Sequence, residues 1–417
     1  MRKRTPAALA GTLALGLALG LGSASAAAAG TAGSLDPTFG HGGVVLTNLN
    51  GGAGDAALQA NGDIVVAGGF GLARYLPNGT LDTSFGVRGL AQLPAAIGLG
   101  DFGPALAVQP DGKYVWAGAT ASTEDANAAF GAVRFNANGT VDQTFGTGGV
   151  ATTSFPNSGV QGADTVLVQP DGKILLGGEI FPDINHAPPE GALARFNANG
   201  TVDQTFGTGG VATTSFPNSS VQGADTALVQ PDGKILLGGE VLPNVNHAPP
   251  EGALARFDAN GTPDQAFGHG GQVLSTAAVG EITALGLDAA GDIFVLPAHA
   301  EFTAEGQPDA TVTPAPITTS SHGEGATFLA SGGYVLATSP AVAKHDDDIQ
   351  VQRFNADGTV AATSPAFDYS GATGFDQALD SAHGVAVQPN GQIVVDGGHF
   401  AGGSSPIGLA RVNGNGS

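Results

Sequence analysis

Apolar positions in this chain come in short runs closed by glycine-bearing turns, and one run-and-turn phrase returns along its length. The phrase is a half-apolar stretch, then Gln-Pro-Asp-Gly-Lys, then a second apolar stretch. Clear copies run from Val108 to Gly118, Val168 to Gly178, Val229 to Gly239 and Val387 to Gly398. Weaker copies run from Leu58 to Gly69, Leu287 to Ala298 and Phe328 to Ser339. Aligned on the turn glycine, the seven fall at Gly62, Gly112, Gly172, Gly233, Gly291, Gly332 and Gly391. A recurrence of this size marks a repeat architecture. No window of useful length places apolar residues at helical spacing with caps, so the repeat is predicted to be all-β.

One unit reads as four strands. Ala163 to Gln169 is the first, and Asp171-Gly172 is a tight hairpin turn. Lys173 to Gly178 is the second, an unbroken apolar run that suits burial on both faces. A loop from Glu179 to Glu190 leads to the third strand, Gly191 to Asn197, and Asn199-Gly200 turns again. The fourth is expected to start near Val202 to Phe206 and to continue through Val211 to Phe216. Phe135–Phe196 and Phe196–Phe257 match at an offset of 61 with six mild differences, as a tandem duplication would.

Seven such units predict an all-β, seven-bladed β-propeller with four-stranded blades. The chain opens mid-unit at Gly33-Ser-Leu-Asp-Pro-Thr-Phe-Gly40 and stops mid-unit at Gly408 to Ser417. Joined, the two pieces read like the internal LARFNANGTVDQTFGTGG. The last blade is therefore expected to be shared by about 33–47 and 383–417, closed by pairing of the N-terminal strand with the C-terminal strands. Closure of that kind removes exposed sheet edges.

The runs LARFNANGTVDQTFGTGGV and LVQPDGKILLGG resemble the bacterial delta-60 repeat, a family of secreted β-propeller-like repeat proteins without an assigned function. The resemblance covers nearly all of the chain after its leader and implies the propeller fold, but brings no catalytic residues. Departures gather at Ala300 to His322 and Ser364 to Ala382, so blades five and six are expected to be irregular.

Composition adds the compartment. Arg2, Lys3 and Arg4 precede an uncharged apolar stretch, Ala7 to Gly22, and Ala24-Ser25-Ala26 supplies small residues for cleavage. Residues 1–26 are read as a signal peptide and 27–417 as a single secreted propeller. No later segment is long and apolar enough to span a bilayer. The net charge of −22 disfavours nucleic acid as a partner. With no cysteine, disulfides, thiolate metal sites and a cysteine nucleophile are excluded.

The candidate chemistry is sparse. Arg74, Arg134, Arg195, Arg256, Arg353 and Arg411 recur once per unit, with Asp36, Asp82, Asp142, Asp203 and Asp264 after the turns. Recurrence in every unit argues for architecture, guanidiniums pairing with carboxylates or carbonyls between strands or blades. Turns such as Asn136-Ala-Asn138-Gly139 faintly resemble calcium loops, and Asx-turns explain them equally well. Trp116 reads as packing.

The loops between second and third strands are the better place for specificity, because function concentrates on loops held by rigid scaffolds. They carry Glu124 and Asp125; Glu179, His186 and Glu190; Glu240, His247 and Glu251; and His345, Asp346 and Asp347. The expected function is a rigid extracellular binding or interaction scaffold, a monomer, with a glycan, peptide or surface protein as partner. The sequence calls for no cofactor and leaves calcium open. The alternative is a calcium-dependent hydrolase or lyase at the propeller channel mouth. It would need convergence of acidic residues near first-strand starts, such as Asp55, Asp101, Asp164, Asp225 and Asp380.

Overall fold

The computed structural model describes residues 31–49, 53–94, 97, 104–120, 129–155, 161–181, 189–216, 219–243, 250–288, 290–297, 300–308, 324–329, 333–339, 349–356, 358–367, 369, 379–400 and 406–414. These residues form seven antiparallel sheets, and no helix occurs among them. The fold is the seven-bladed β-propeller that the repeats predict.

Blade one is built from Ala53–Leu58, Ile64–Gly68, Gly71–Tyr75 and Leu90–Gln92, and blade two from Ala105–Val108, Tyr114–Ala119, Phe130–Phe135 and Val150–Thr153. Blade three contains Gln161–Val168, Ile174–Ile180, Glu190–Phe196 and Val211–Thr214. In blade four the first strand is split into Ser219–Gln222 and Thr226–Val229, followed by Ile235–Pro243, Glu251–Phe257 and Gln272–Val279. Blade five has three strands among the described residues, Ala284–Leu287, Ile293–Leu296 and Ala300–Phe302. Blade six comprises Glu324–Phe328, Tyr334–Thr338, Gln350–Phe354 and Val360–Thr363.

Blade seven is assembled from both ends of the chain: Leu379–Val387, Ile393–Phe400, Ile407–Val412 and, as its last strand, Val44–Thr47. Val44 pairs with Ala410 and Thr47 with Ile407, so the predicted strand pairing is present. Residues 1–30, which hold the expected signal peptide, lie outside the described residues.

The described residues fall into two compact units. One lies between Leu93 and Ile317 and holds blades two to five; the other combines the chain up to Gln92 with Thr318–Ser417 and holds blades six, seven and one. Within each unit the core lies between neighbouring sheets. Val115, Phe130 and Phe145 of blade two pack with Ile174, Leu176 and Phe196 of blade three. Val335 and Ile349 of blade six pack with Ile393 and Val395 of blade seven. The second strands are buried along their length, as their unbroken apolar runs require, and Trp116 lies in this packing at 3 % exposure.

The fourth strand differs from its predicted start. Val202 makes only an isolated bridge to Phe196, and Asp203 to Phe206 form a turn, so the strand proper begins at Val211. The polar side chains of the intervening stretch bond locally, and Gly207, Gly209 and Gly210 at φ of 51–100° turn the chain back to the sheet.

Candidate functional site

Five of the six repeated arginines settle into one geometry. In blade three, Arg195 Nε donates to Asp203 Oδ2 at 2.8 Å, and the guanidinium lies 4.5 Å from the centre of the Phe206 ring. Arg195 Nη1 reaches across to blade four and donates to the Ala259 carbonyl at 2.6 Å, while Gly207 N donates to the Asn260 carbonyl at 2.6 Å. Blade two repeats this with Arg134, Asp142, Phe145 and the Ala198 carbonyl of blade three. Arg256 does the same with Asp264, Phe267 and Ala304, and Arg74 pairs with Asp82 over Phe85. In blade seven the clasp joins the chain's two ends: Arg411 binds Asp36, stacks on Phe39 and donates to the Pro77 carbonyl.

The guanidiniums are thus inter-strand and inter-blade fasteners. Burial works to raise the Asp203 carboxyl, but the Thr205 hydroxyl and backbone N–H and the Arg195 charge outweigh it and hold it down at about 2. The Asx turns also look inward, since Asn199 Oδ1 accepts from both the backbone N–H and the hydroxyl of Thr201.

Of the loop candidates, Glu124, Asp125, His186, His247, His345, Asp346 and Asp347 lie outside the described residues. Glu190 and Glu251 open the third strands of blades three and four, opposite Ile180 and Val241. Burial raises the Glu190 carboxyl, partly offset by a bond from Thr213.

Glu179 and Glu240 are different. They are half-buried positions near the ends of the second strands in blades three and four, each followed by a buried residue, Ile180 or Val241, at the level where each first strand is irregular. In blade three the irregularity is a bulge between Ala163 and Thr165, which leaves Asp164 without a ladder partner. In blade four the strand breaks and Asp225 occupies the same place, its N–H bonded to the Gly238 carbonyl at 2.9 Å. A bulge re-aims a side chain, and here it turns two aspartates toward the two glutamates. Glu281, just before blade five, completes the group.

These five carboxylates act on one another electrostatically. Burial raises Asp164, with the charges of Glu179 and Glu281 adding to it. Asp225 is raised by burial and then by Glu281, Asp164, Glu179 and Glu240. Burial and then Glu240 push Glu179 up to about 7 and also raise Glu281. Among the described residues, no lysine, arginine or histidine forms an ion pair with any of the five. Asp225 Oδ2 has neither solvent contact nor a hydrogen-bond partner. It lies 2.9 Å from where a Cβ on Gly239 would stand, so the glycine gives the carboxylate its room.

The sequence singled out Asp164, Asp225, Glu179 and Glu240 under two separate headings, and the bulges bring the four together. Glu281 was missed. Its signal was present, since it follows Gly280 much as Ala163-Asp164 follows Gly162. Of the other first-strand acids, Asp101 lies outside the described residues and nothing is described of the Asp380 side chain, while Asp55 belongs to blade one.

A second acidic group occurs in blade five, where ligand atoms of Asp288, Asp292 and Glu301 lie within 4.8 Å of one another. Glu301 stands at the register of Arg256 and Asp292 at that of Lys234, so the charges of the clasp are reversed there. Asp288 Oδ1 serves the hairpin itself, accepting from the N–H groups of Ala290 and Asp292.

A family described as a domain of unknown function (DUF5122) beta-propeller matches residues 59–85, 109–145, 169–206, 230–267 and 388–417. Each matched segment spans a turn, a second strand and the residues that follow it, and blades five and six carry no match. The chain is a β-propeller repeat protein. A search of curated proteins finds no match. Among solved structures, the sialidase of Trypanosoma rangeli in complex with sialic acid is 10% identical, with a TM-score of 0.43 over 91% of this chain and 60% of that one. The chain thus spans three fifths of the sialidase's length. An α-L-arabinofuranosidase from Fusarium graminearum is 9% identical, with a TM-score of 0.46 over 88% of this chain and 97% of that one. A gluconolactonase from Xanthomonas campestris is 12% identical, with a TM-score of 0.39 over 88% and 89% of the two chains.

Proposed function

We propose that this β-propeller repeat protein, of the delta-60 type, is a secreted binding protein. Its carboxylate cluster holds a calcium-class cation and presents it to an oxygen-rich extracellular ligand such as a glycan. The observation that carries the reading is Asp225 Oδ2, buried without a partner, facing four further carboxylates with no basic residue paired to them among those described. Such a group is stable only if protons or a cation neutralise it. A hard divalent ion takes six to eight oxygen ligands, so about five carboxylates leave positions for water or ligand hydroxyls. Asp164, Glu179, Asp225, Glu240 and Glu281 would hold the ion.

Calorimetric titration with calcium at pH 7.5 tests this. Binding heat and a rise of several degrees in melting temperature are expected for the native protein, since a ligand bound only to the folded state stabilises it. Asp225→Asn should lose both. Absence of heat with calcium, magnesium or manganese, together with a melting temperature indifferent to chelator, would overturn the proposal.

The alternative, a metal-dependent hydrolase or lyase, is favoured by one observation. Glu179 is pushed up to about 7, a value that suits a carboxyl acting as general acid near neutral pH. Hydrolysis of a polysaccharide by the native protein and not by Glu179→Gln would support it.

A further inference from the structure

In six of the seven repeats, the position five residues past the turn glycine, on the second strand, is small or aliphatic: Ala67, Ala117, Gly177, Gly238, Leu296 and Ala337. In blade seven the same position is Asp396. It lies between Gly384 on one neighbouring strand and Leu409 on the other. A side chain on Gly384 would collide with Asp396 Oδ1, so the glycine opposite is what admits the carboxyl. Asp396 is 0% exposed, and neither of its oxygens has a hydrogen-bond partner. Its electrostatic neighbour is Asp55 of blade one, which stands where blades three and four have Thr165 and Thr226. Recurrence marked the arginines as architecture. By the same logic, two carboxylates that occur once each at these positions and act on one another across the blade boundary are something the repeat itself does not need.

We propose that Asp396 and Asp55 form a proton-holding pair between blade seven and blade one, with the proton on Asp396, and that its loss loosens this joint. Among the described residues, the other groups facing Asp396 leave it no competing partner. On Leu379–Val387, His383 Nδ1 is engaged with the Ala53 carbonyl at 2.6 Å, and the Ser381 hydroxyl is buried. On Ile407–Val412, Arg411 is committed to Asp36. The Tyr369 hydroxyl lies beyond Gly397, close to where a Cβ there would stand. A divalent ion would want more oxygens than this site gathers, whereas one proton neutralises Asp396 and lets it face the Asp55 carboxylate. Ionisation sends that proton to water and leaves a buried charge on Asp396 facing the half-buried, like-charged Asp55. Burial, then Asp55, pushes the Asp396 carboxyl well above the usual carboxylate range. In the unfolded chain it ionises from about pH 4. Above that pH the folded state binds the extra proton, so stability falls as pH rises until the folded group also ionises.

Melting curves of the native protein, Asp396→Asn and Asp396→Ala between pH 4 and 9 test the pair, each with chelator present. The melting temperature of Asp396→Asn relative to native should climb by several degrees as pH rises, and Asp396→Ala, the residue of blades one, two and six, should follow it. Hydrogen exchange supplies a local readout. Peptides over Ala53–Leu58 and Leu379–Val387 should lose protection with rising pH in the native protein only. If either Asp396 variant fails to fold, Asp55→Asn takes its place and should make the same slope shallower, since burial alone still holds the Asp396 proton. Parallel native and variant curves across the range, or a native slope abolished by calcium, would overturn the proposal.

Discussion

Blades three and six use the same apolar second strand and a similarly placed arginine, yet they join the fourth strand differently. In blade three, Arg195 is followed by Asp203 and Phe206, and the fourth strand waits until Val211. In blade six the corresponding places after Arg353 hold Ala361 and Ser364. There the fourth strand starts at once, at Val360, and the Ser364 hydroxyl accepts from Val351 N at 2.9 Å. The aspartate–phenylalanine loop is therefore a spacer with a second task. It delays the strand, and its arginine and backbone seize the turn of the next blade. Without it the sheet still forms, because the ladder and core do not depend on the clasp.

The largest difference should come from removing the guanidiniums. Arg195→Ala leaves the buried Asp203 carboxylate with Lys173 Nζ at 3.4 Å as its remaining cation and unpairs an inter-blade carbonyl, and is expected to cost about 3 kcal/mol of unfolding free energy. Denaturant melts of Arg195→Ala and Arg353→Ala together break the comparison if the two costs are equal. Next comes the turn that receives the clasp. Gly200 has φ +83° and a Cβ there would lie 2.5 Å from Gly146 N, so Gly200→Ala should cost about 1–3 kcal/mol. Gly172, at φ +82° with only Ala198 Cβ at 3.4 Å, should sit at the lower end of that range.

Acid provides a smaller effect. Asp203 is held down at about 2, so its contribution is complete above about pH 4 and is lost as pH falls toward 2. Asp203→Asn should flatten that limb of a melting-temperature profile, and an unchanged limb would remove Asp203 from the account. Arg353→Ala, with no aspartate at the matching place, should change stability least, by under about 1 kcal/mol.

Much of this was legible before any coordinates. The turn glycines and the matched half-units gave the number of blades and the pairing of Val44–Thr47 with Ile407–Val412. The clasp was legible as a class of contact, because recurrence separates scaffold from site. The carboxylate cluster was half legible. Each of Asp164, Asp225, Glu179 and Glu240 stood out, but the bulge that turns the aspartates depends on backbone register, which alternation of residue types does not encode. Asp396 lies within a second strand whose apolar run reads as core, so nothing local sets it apart. Aligning the second strands column by column exposes it as the one acid in a column of small and aliphatic residues.

The shared blade also sets a timetable for synthesis. Val44–Thr47 is synthesised well before its partner Ile407–Val412, with six blades of chain between them. At roughly 5–20 residues per second, that strand waits for tens of seconds with its hydrogen-bonding edge open. Over that interval the nascent protein presents an adhesive margin to its neighbours, and whatever shields it governs the yield of correctly finished molecules.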